Sequence, residues 1–238
     1  MKRNIQILLG EMEGRLNGYA TLLNYRYMNL CVKAEPASLI PIVIRNLDGD
    51  EANFEDIANV MFADEYTFEI LPNEQEMITN ICKSLKETHP EFKLEVVKAA
   101  EENMLNTESD DEEEYHIICR MPEVNDDRYD ILMDGVKVLY DQCMIEVGKV
   151  KASYTARLTT LMLGQSKEAI EEAKGSLEER MNQYTGFIDN YRTNKEKEIE
   201  DAHQKWMNEQ NEESRHNQES AAAQGNDKGQ SFNMYDDE

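Results

Sequence analysis

Apolar residues near the start of the chain fall at Ile5, Leu8, Leu9, Met12, Leu16, Tyr19, Leu22 and Leu23. Steps of three and four place them on one face of a helix, and the pattern breaks off near Leu30. Gly10, Gly14 and Gly18 recur every fourth residue along this helix, with Glu11, Glu13 and Arg15 between them. The charges exclude a lipid setting, so the glycines are expected to let a neighbouring helix come close. Pro36 and Pro41 end the helix, since neither donates a backbone hydrogen bond.

The period then shortens. Leu39 to Ile44 reads as a strand, with Pro41 marking an edge or strand start, and a turn follows at Asn46-Leu47-Asp48-Gly49. Ile57 to Phe62 and Tyr66 to Leu71 flank Ala63-Asp64-Glu65 at hairpin spacing. Asn73 is placed to cap a short helix from about Glu74 to Lys86, with Met77, Ile78, Ile81, Cys82 and Leu85 as its buried stripe. Phe92 to Val97 and Tyr115 to Cys119 are two further strands. The acidic run Asp110–Glu114 before the second of them is expected to be a solvated loop. So small a sheet needs the helix on one face to bury apolar area.

After Pro122 the helical period returns. Leu132, Val136, Leu139, Cys143, Val147, Val150, Tyr154, Leu158 and Leu161 step by three and four up to a turn at Gly164-Gln165-Ser166. Ile170, Leu177, Tyr184 and Tyr191 then repeat every seven residues, with Met181 and Ile188 between them, which is a bundle seam. Matching stripes on both sides of a strand-rich segment predict an α+β fold, a long three-helix bundle with a small β/α domain inserted after the first helix. The expected domains are 1–32 with 123–206 for the bundle and 33–122 for the insertion. Beyond Trp206 the stripe stops and Asn, Gln, Glu and Ser dominate, so 207–238 is expected to be a disordered acidic tail.

Charge narrows the function. With 49 acidic and 25 basic residues the formal charge is −24 and the pI about 4.5. That balance opposes non-specific binding to phosphate backbones. Cys31, Cys82, Cys119 and Cys143 lie far apart without a CxxC, as reduced thiols of a cytoplasmic protein would. The N-terminus lacks a signal-peptide h-region, and no apolar run is long enough to cross a bilayer. There is no GxSxG, Walker loop or GxGxxG, and His89, His116, His203 and His216 form no i, i+4 pair. Neither catalysis, a metal nor a cofactor is expected.

Four strings, in order, carry a resemblance. Ala34-Glu-Pro-Ala-Ser-Leu-Ile resembles the A-S-P-x-L-L stretch that leaves the first helix in the ribosome recycling factor family. Ile57-Ala58-Asn59-Val60, Asp64 and Tyr66-Thr67-Phe68-Glu69-Ile70 resemble that family's "LAxV…D…RTLxI" hairpin. Met121-Pro122-Glu-Val-Asn-Asp-Asp-Arg128 is similar to the "iPpLTeErR" opening of its second helix, and Lys195-Glu196-Lys197-Glu198-Ile199 to its K-E-x-E-[IL] ending. The resemblance covers about residues 1–202. It implies a monomeric translation factor that binds large-subunit RNA of the ribosome and, with a translocase, separates the subunits after termination.

The chain departs from the family where RNA contacts are expected. Leu30-Cys31-Val32-Lys33 stands where the family has R-T-G-R, Gly148 to Ser153 where it has R-N-x-R-R-D, and Gly186-Phe187 where it has paired lysines. The candidate RNA-binding residues left are Lys33, Lys149, Lys151 and Arg157; the plainer reading makes them solubilising charges on an exposed face. Ala34, Pro36, Pro122, Asp126, Asp127 and Arg128 are candidate hinge residues between the domains, with Asn125 capping the second long helix. The missing arginines also fit a second function: an acidic interaction protein that kept the fold, lost ribosomal RNA binding and holds a basic protein partner.

Overall fold

The structure, a computed structural model, describes residues 2–35, 38–39, 42–98 and 114–226. Three helices carry the larger core: α1 (Lys2–Met28), α4 (Asp126–Leu161) and α5 (Lys167–Asn226). Between the first two lie β1 (Val43–Arg45), β2 (Glu51–Asn53), α2 (Phe54–Ile57), β3 (Ala58–Asp64), β4 (Thr67–Pro72), α3 (Ile78–Thr88), β5 (Lys93–Lys98) and β6 (Tyr115–Arg120). The expected α+β fold, a helical bundle with an inserted β/α domain, is what the chain adopts.

The bundle closes through the stripes read from the sequence. Leu9, Met12, Leu16 and Leu23 of α1 are buried against Val136, Val147, Val150, Tyr154 and Leu158 of α4, and Leu177, Met181 and Ile188 of α5 complete the core. Each such side chain taken fully from water is worth about 1.5–3 kcal/mol. Cross-links fix α1 and α4 as antiparallel: Arg157 reaches Glu11 at 2.8 Å, and the buried Tyr27 hydroxyl donates to the Val136 carbonyl at 3.2 Å. Burial raises the Tyr27 phenol well above its ordinary pKa. Ser166 receives the Ala169 N–H at 3.3 Å where α5 begins, and Gly164 takes the left-handed backbone (φ 78°) that the turn before it requires.

The inserted module is a four-stranded antiparallel sheet in the order β3-β4-β6-β5, with a separate hairpin of β1 and β2. Phe68 and Ile70 on β4, Ile117 and Cys119 on β6 and Phe92 before β5 form one buried face, covered by Ile81 and Leu85 of α3. Pairs such as Phe68 with Cys119 and Leu94 with Cys119 set the register.

Several expectations need correction. Of the strand read from Leu39 to Ile44, the described residues show Val43–Arg45 as strand and Leu39 in a turn, although Leu39, Ile42 and Ile44 are all buried; Ile40 and Pro41 lie outside the described residues. Asn73 does not cap the following helix. Its side chain donates to the Asp56 carbonyl at 3.1 Å instead, and the helix starts with a 3-10 turn at Gln75–Met77. Among the described residues the α1 glycines meet no neighbour: a Cβ on Gly10, Gly14 or Gly18 would find nothing within 4 Å. The tail expected to be disordered from 207 is helical as far as Asn226. A helix already nucleated by a bundle propagates at little cost through residues that tolerate it, even with no surface to bury. Residues 227–238, residues 110–113 of the acidic run, and Pro36 lie outside the described residues.

Candidate functional site

The chain passes between the two cores twice, and the crossing is the most elaborate polar region described. On the way out, Cys31 packs into the module's core and Val32 into the bundle's; on the way back, Met121 belongs to the module and Val124 to the bundle. Both connectors are tied to one hairpin tip. The Ala34 N–H donates to the Glu65 carbonyl at 2.7 Å, and the Met121 N–H to the Tyr66 carbonyl at 2.8 Å. Asp64 shapes that tip by accepting the Tyr66 N–H at 2.7 Å. From α5, Lys205 pairs with Glu65 and stands 5.9 Å from the Tyr66 ring centre.

The start of α4 adds the next layer. Asn125 accepts the Arg128 N–H at 2.9 Å as a cap, and Asp126 and Asp127 occupy the first turn, where the helix dipole favours acids. Asp126 also meets His203 of α5 at 2.8 Å, and the His203 ring stacks on Tyr129 at 4.4 Å and Trp206 at 6.0 Å. The Arg128 side chain turns inward and donates from Nη2 to the Cys31 carbonyl at 2.7 Å. Its Nη1 is buried without a hydrogen-bond partner among the described residues, and burial lowers the guanidinium's pKa.

Beneath this contact lies His89, 1% exposed at the C-terminal end of α3 and stacked on Phe92 at 4.4 Å. Its Nε2 lies 3.2 Å from the Ser38 carbonyl and its Nδ1 3.5 Å from the Glu91 carboxylate, with Cys31 Sγ 3.9 Å from either nitrogen. An acceptor at each ring nitrogen is satisfied only by the doubly protonated ring. Burial opposes that charge, but the contacts with Cys31 and Glu91 outweigh it and carry the pKa to about 9. Burial would likewise raise Glu91, yet its contact with His89 holds the carboxyl below its ordinary value.

The four candidate RNA-binding cations are not gathered into one strip. Lys33 pairs with Glu35 at 2.7 Å beside the crossing, roughly 30 Å along the bundle from Lys149 by the rise of α4. Lys149 pairs with Glu146 of its own helix at 2.6 Å, Lys151 with Glu178 of α5 at 3.0 Å, and Arg157 with Glu11 of α1 at 2.8 Å. Side-chain hydrogen bonds to these carboxylates raise the pKa of Lys33, Lys149 and Arg157. All four are substantially exposed, so each pair is weak and open to exchange for a phosphate. At the position of the family's paired lysines, Phe187 is exposed and packs edge-on against Tyr184.

Of the hinge candidates, Ala34, Asp126 and Arg128 make the contacts just given, Pro122 is half-buried in the connector, and Asp127 is exposed. Sequence reasoning missed Glu65, Tyr66, His89, His203 and Lys205. Only the hairpin spacing around Asp64 hinted at the first two. The arrangement braces one domain against another; among the described residues no group of three or more His, Cys, Asp or Glu is placed to hold a metal ion.

The family model for ribosome recycling factor matches residues 27–199, from the last turn of α1 through the inserted module and α4 into α5. The chain belongs to the ribosome recycling factor family. Among solved structures, it is similar to a solution structure of a ribosome recycling factor at 15% identity and a TM-score of 0.63, over 83% of this chain and 97% of that one. A second similar structure comes from models for the Thermus thermophilus ribosome recycling factor and the Escherichia coli elongation factor G bound to the E. coli post-termination complex. Its identity is 16% and its TM-score 0.54, over 82% of this chain and 98% of that chain. No curated protein matches the chain. The matched stretch takes in both connectors and the inserted module, while His203, Lys205 and Trp206 of the brace lie beyond its end.

Proposed function

We propose that this protein is a cytoplasmic translation factor of the recycling type, not an enzyme, that binds the ribosome after termination and helps separate its subunits. The observation that carries the reading is the family match through both domains and both connectors. The work is mechanical. The bundle of residues 1–32 and 123–206 acts as a rigid lever, and the module of residues 33–122 pivots about the connectors. Ala34, Pro36, Pro122, Asp126, Asp127 and Arg128 form the hinge, set by the bonds to Glu65, Tyr66 and Cys31. One relative was described together with elongation factor G on a post-termination complex, and a translocase of that kind supplies the push here.

Lys33, Lys149, Lys151 and Arg157 make the remaining contacts to large-subunit RNA by releasing Glu35, Glu146, Glu178 and Glu11. Each phosphate contact releases counterions, so log affinity falls with log salt at about 0.7–0.9 per contact, and four cations limit the slope to about three or four. The test is co-sedimentation with ribosomes through a sucrose gradient at low and moderate salt. Binding at low salt with that shallow slope is expected, and Lys149→Glu with Lys151→Glu should abolish it while leaving helix content unchanged. A folded wild type that never sediments with ribosomes would overturn the proposal in favour of an acidic interaction protein. A double variant that binds as well as wild type would remove the two lysines from the RNA contact.

A further inference from the structure

The outer face of α4 carries a second seam that the bundle does not use. Ile131, Val138 and Ile145 recur every seven residues and are 70%, 52% and 59% exposed. Asp127, Asp134 and Asp141 recur every seven residues between them, and all three are exposed. The order Asp127, Ile131, Asp134, Val138, Asp141, Ile145 steps by four and three, the spacing of a coiled-coil seam in which every second position is an aspartate. Gly148 and Ala152, both exposed, continue the same line with small side chains. On the α1 side, Leu22, 42% exposed, joins Ile145 in lining a groove between the two helices.

Single exposed apolar residues need no explanation; three in heptad register, alternating with like charges, form a pattern that a partner helix can read. The charges select the partner. Lys149 closes one end of the seam but is held by Glu146, Arg26 beside it is bound to Gln142 at 3.3 Å, and Lys137 stands beyond the aspartate row by helical geometry. The row repels phosphates and anionic headgroups, and a second copy of this chain would set aspartate against aspartate with −24 on each side.

We propose that this face docks a basic amphipathic helix of another protein. Its leucine- or isoleucine-type residues pack on Ile131, Val138 and Ile145, while lysines or arginines reach Asp127, Asp134 and Asp141. Long basic side chains suit such a seam because their stems cover apolar surface while their heads meet the carboxylates. The inference stands apart from the ribosome reading, because its test contains no ribosome.

The probe is a fluorescein-labelled synthetic peptide of about three heptads, with leucine and lysine alternating at three-four spacing and alanine, serine and glutamine elsewhere. It is titrated with the full chain, and anisotropy is read at about 0.15 M salt. Binding in the micromolar range is expected, at least tenfold tighter than for a scrambled peptide of equal composition. Val138→Glu should weaken it tenfold or more, and Val138→Gln less. Asp134→Lys with Asp141→Lys should transfer the preference to a peptide carrying glutamates in place of lysines. These side chains are exposed, so circular dichroism should show every variant folded. Equal binding of the scrambled peptide, unchanged affinity in a folded Val138→Glu, displacement by an RNA oligonucleotide, or a dimer dissolved by Val138→Glu would each overturn the proposal.

Discussion

His89 ties the stability of the interdomain crossing to pH. Its pKa in the folded chain, about 9, exceeds the ordinary histidine value near 6.5. The folded state therefore binds the proton more tightly, and the stabilisation is fully present below about 6.5 and lost as pH rises through about 9. Urea denaturation at intervals from pH 6 to 9.5 should show falling stability across that window, with a flatter profile in His89→Gln; equal slopes in the two proteins would contradict the assignment. Gly14 offers an opposite kind of test. It lies inside α1 and a Cβ there meets nothing within 4 Å, so Gly14→Ala should stabilise by about 0.5–1 kcal/mol through helix propensity alone. A lower melting temperature would mean that the glycine is needed for a close approach after all. The sequence suggested that approach because a glycine repeat looks the same whether it faces a neighbour or water. His89 was illegible for a related reason: Glu91 is a near neighbour in sequence, but Ser38 and Cys31 meet it only in the fold.

At the scale of elements, the long helices were legible because each has a seam that repeats for many turns, and burial follows that seam from Leu9 to Ile188. The short pieces were not. β2 reads Glu-Ala-Asn and α2 is a single turn, so neither offers a period, and the pairing of β2 with β1 is set by tertiary contact. The outer part of α5 departs from expectation because a helix continues past the last residue that buries anything. Residues 208–217 are helical and exposed, and they contribute helix content without contributing to the core. A chain ending at Met207 should lose far-UV helical signal yet melt within a degree or two of the full protein. A drop of more than a few degrees would show that the outer helix is docked. Arg128 joins the elements differently, linking the start of α4 to the start of the first connector through the Cys31 carbonyl. Arg128→Ala should destabilise by about 1–3 kcal/mol, the range for a lost buried charged hydrogen bond; an unchanged unfolding midpoint would remove it from the brace.

For the molecule as a whole, the fold was readable from the nested order of periods, and the family from four short strings. Most of the candidate site was not. The sequence located Lys33, Lys149, Lys151 and Arg157 but not the carboxylate that each one faces, and those pairings decide how many charges are free to meet RNA. On the proposed function, a chain of −24 that keeps a recycling-factor fold would hold the ribosome through few cations and through shape. The most direct test of the central claim is light scattering from post-termination ribosomes of the source organism, mixed with their translocase, GTP and this protein. The expected result is a fall in scattering as the subunits part, dependent on both the protein and the translocase and lost in Lys149→Glu with Lys151→Glu. A folded protein that leaves the scattering unchanged at concentrations well above that of the ribosomes would contradict it.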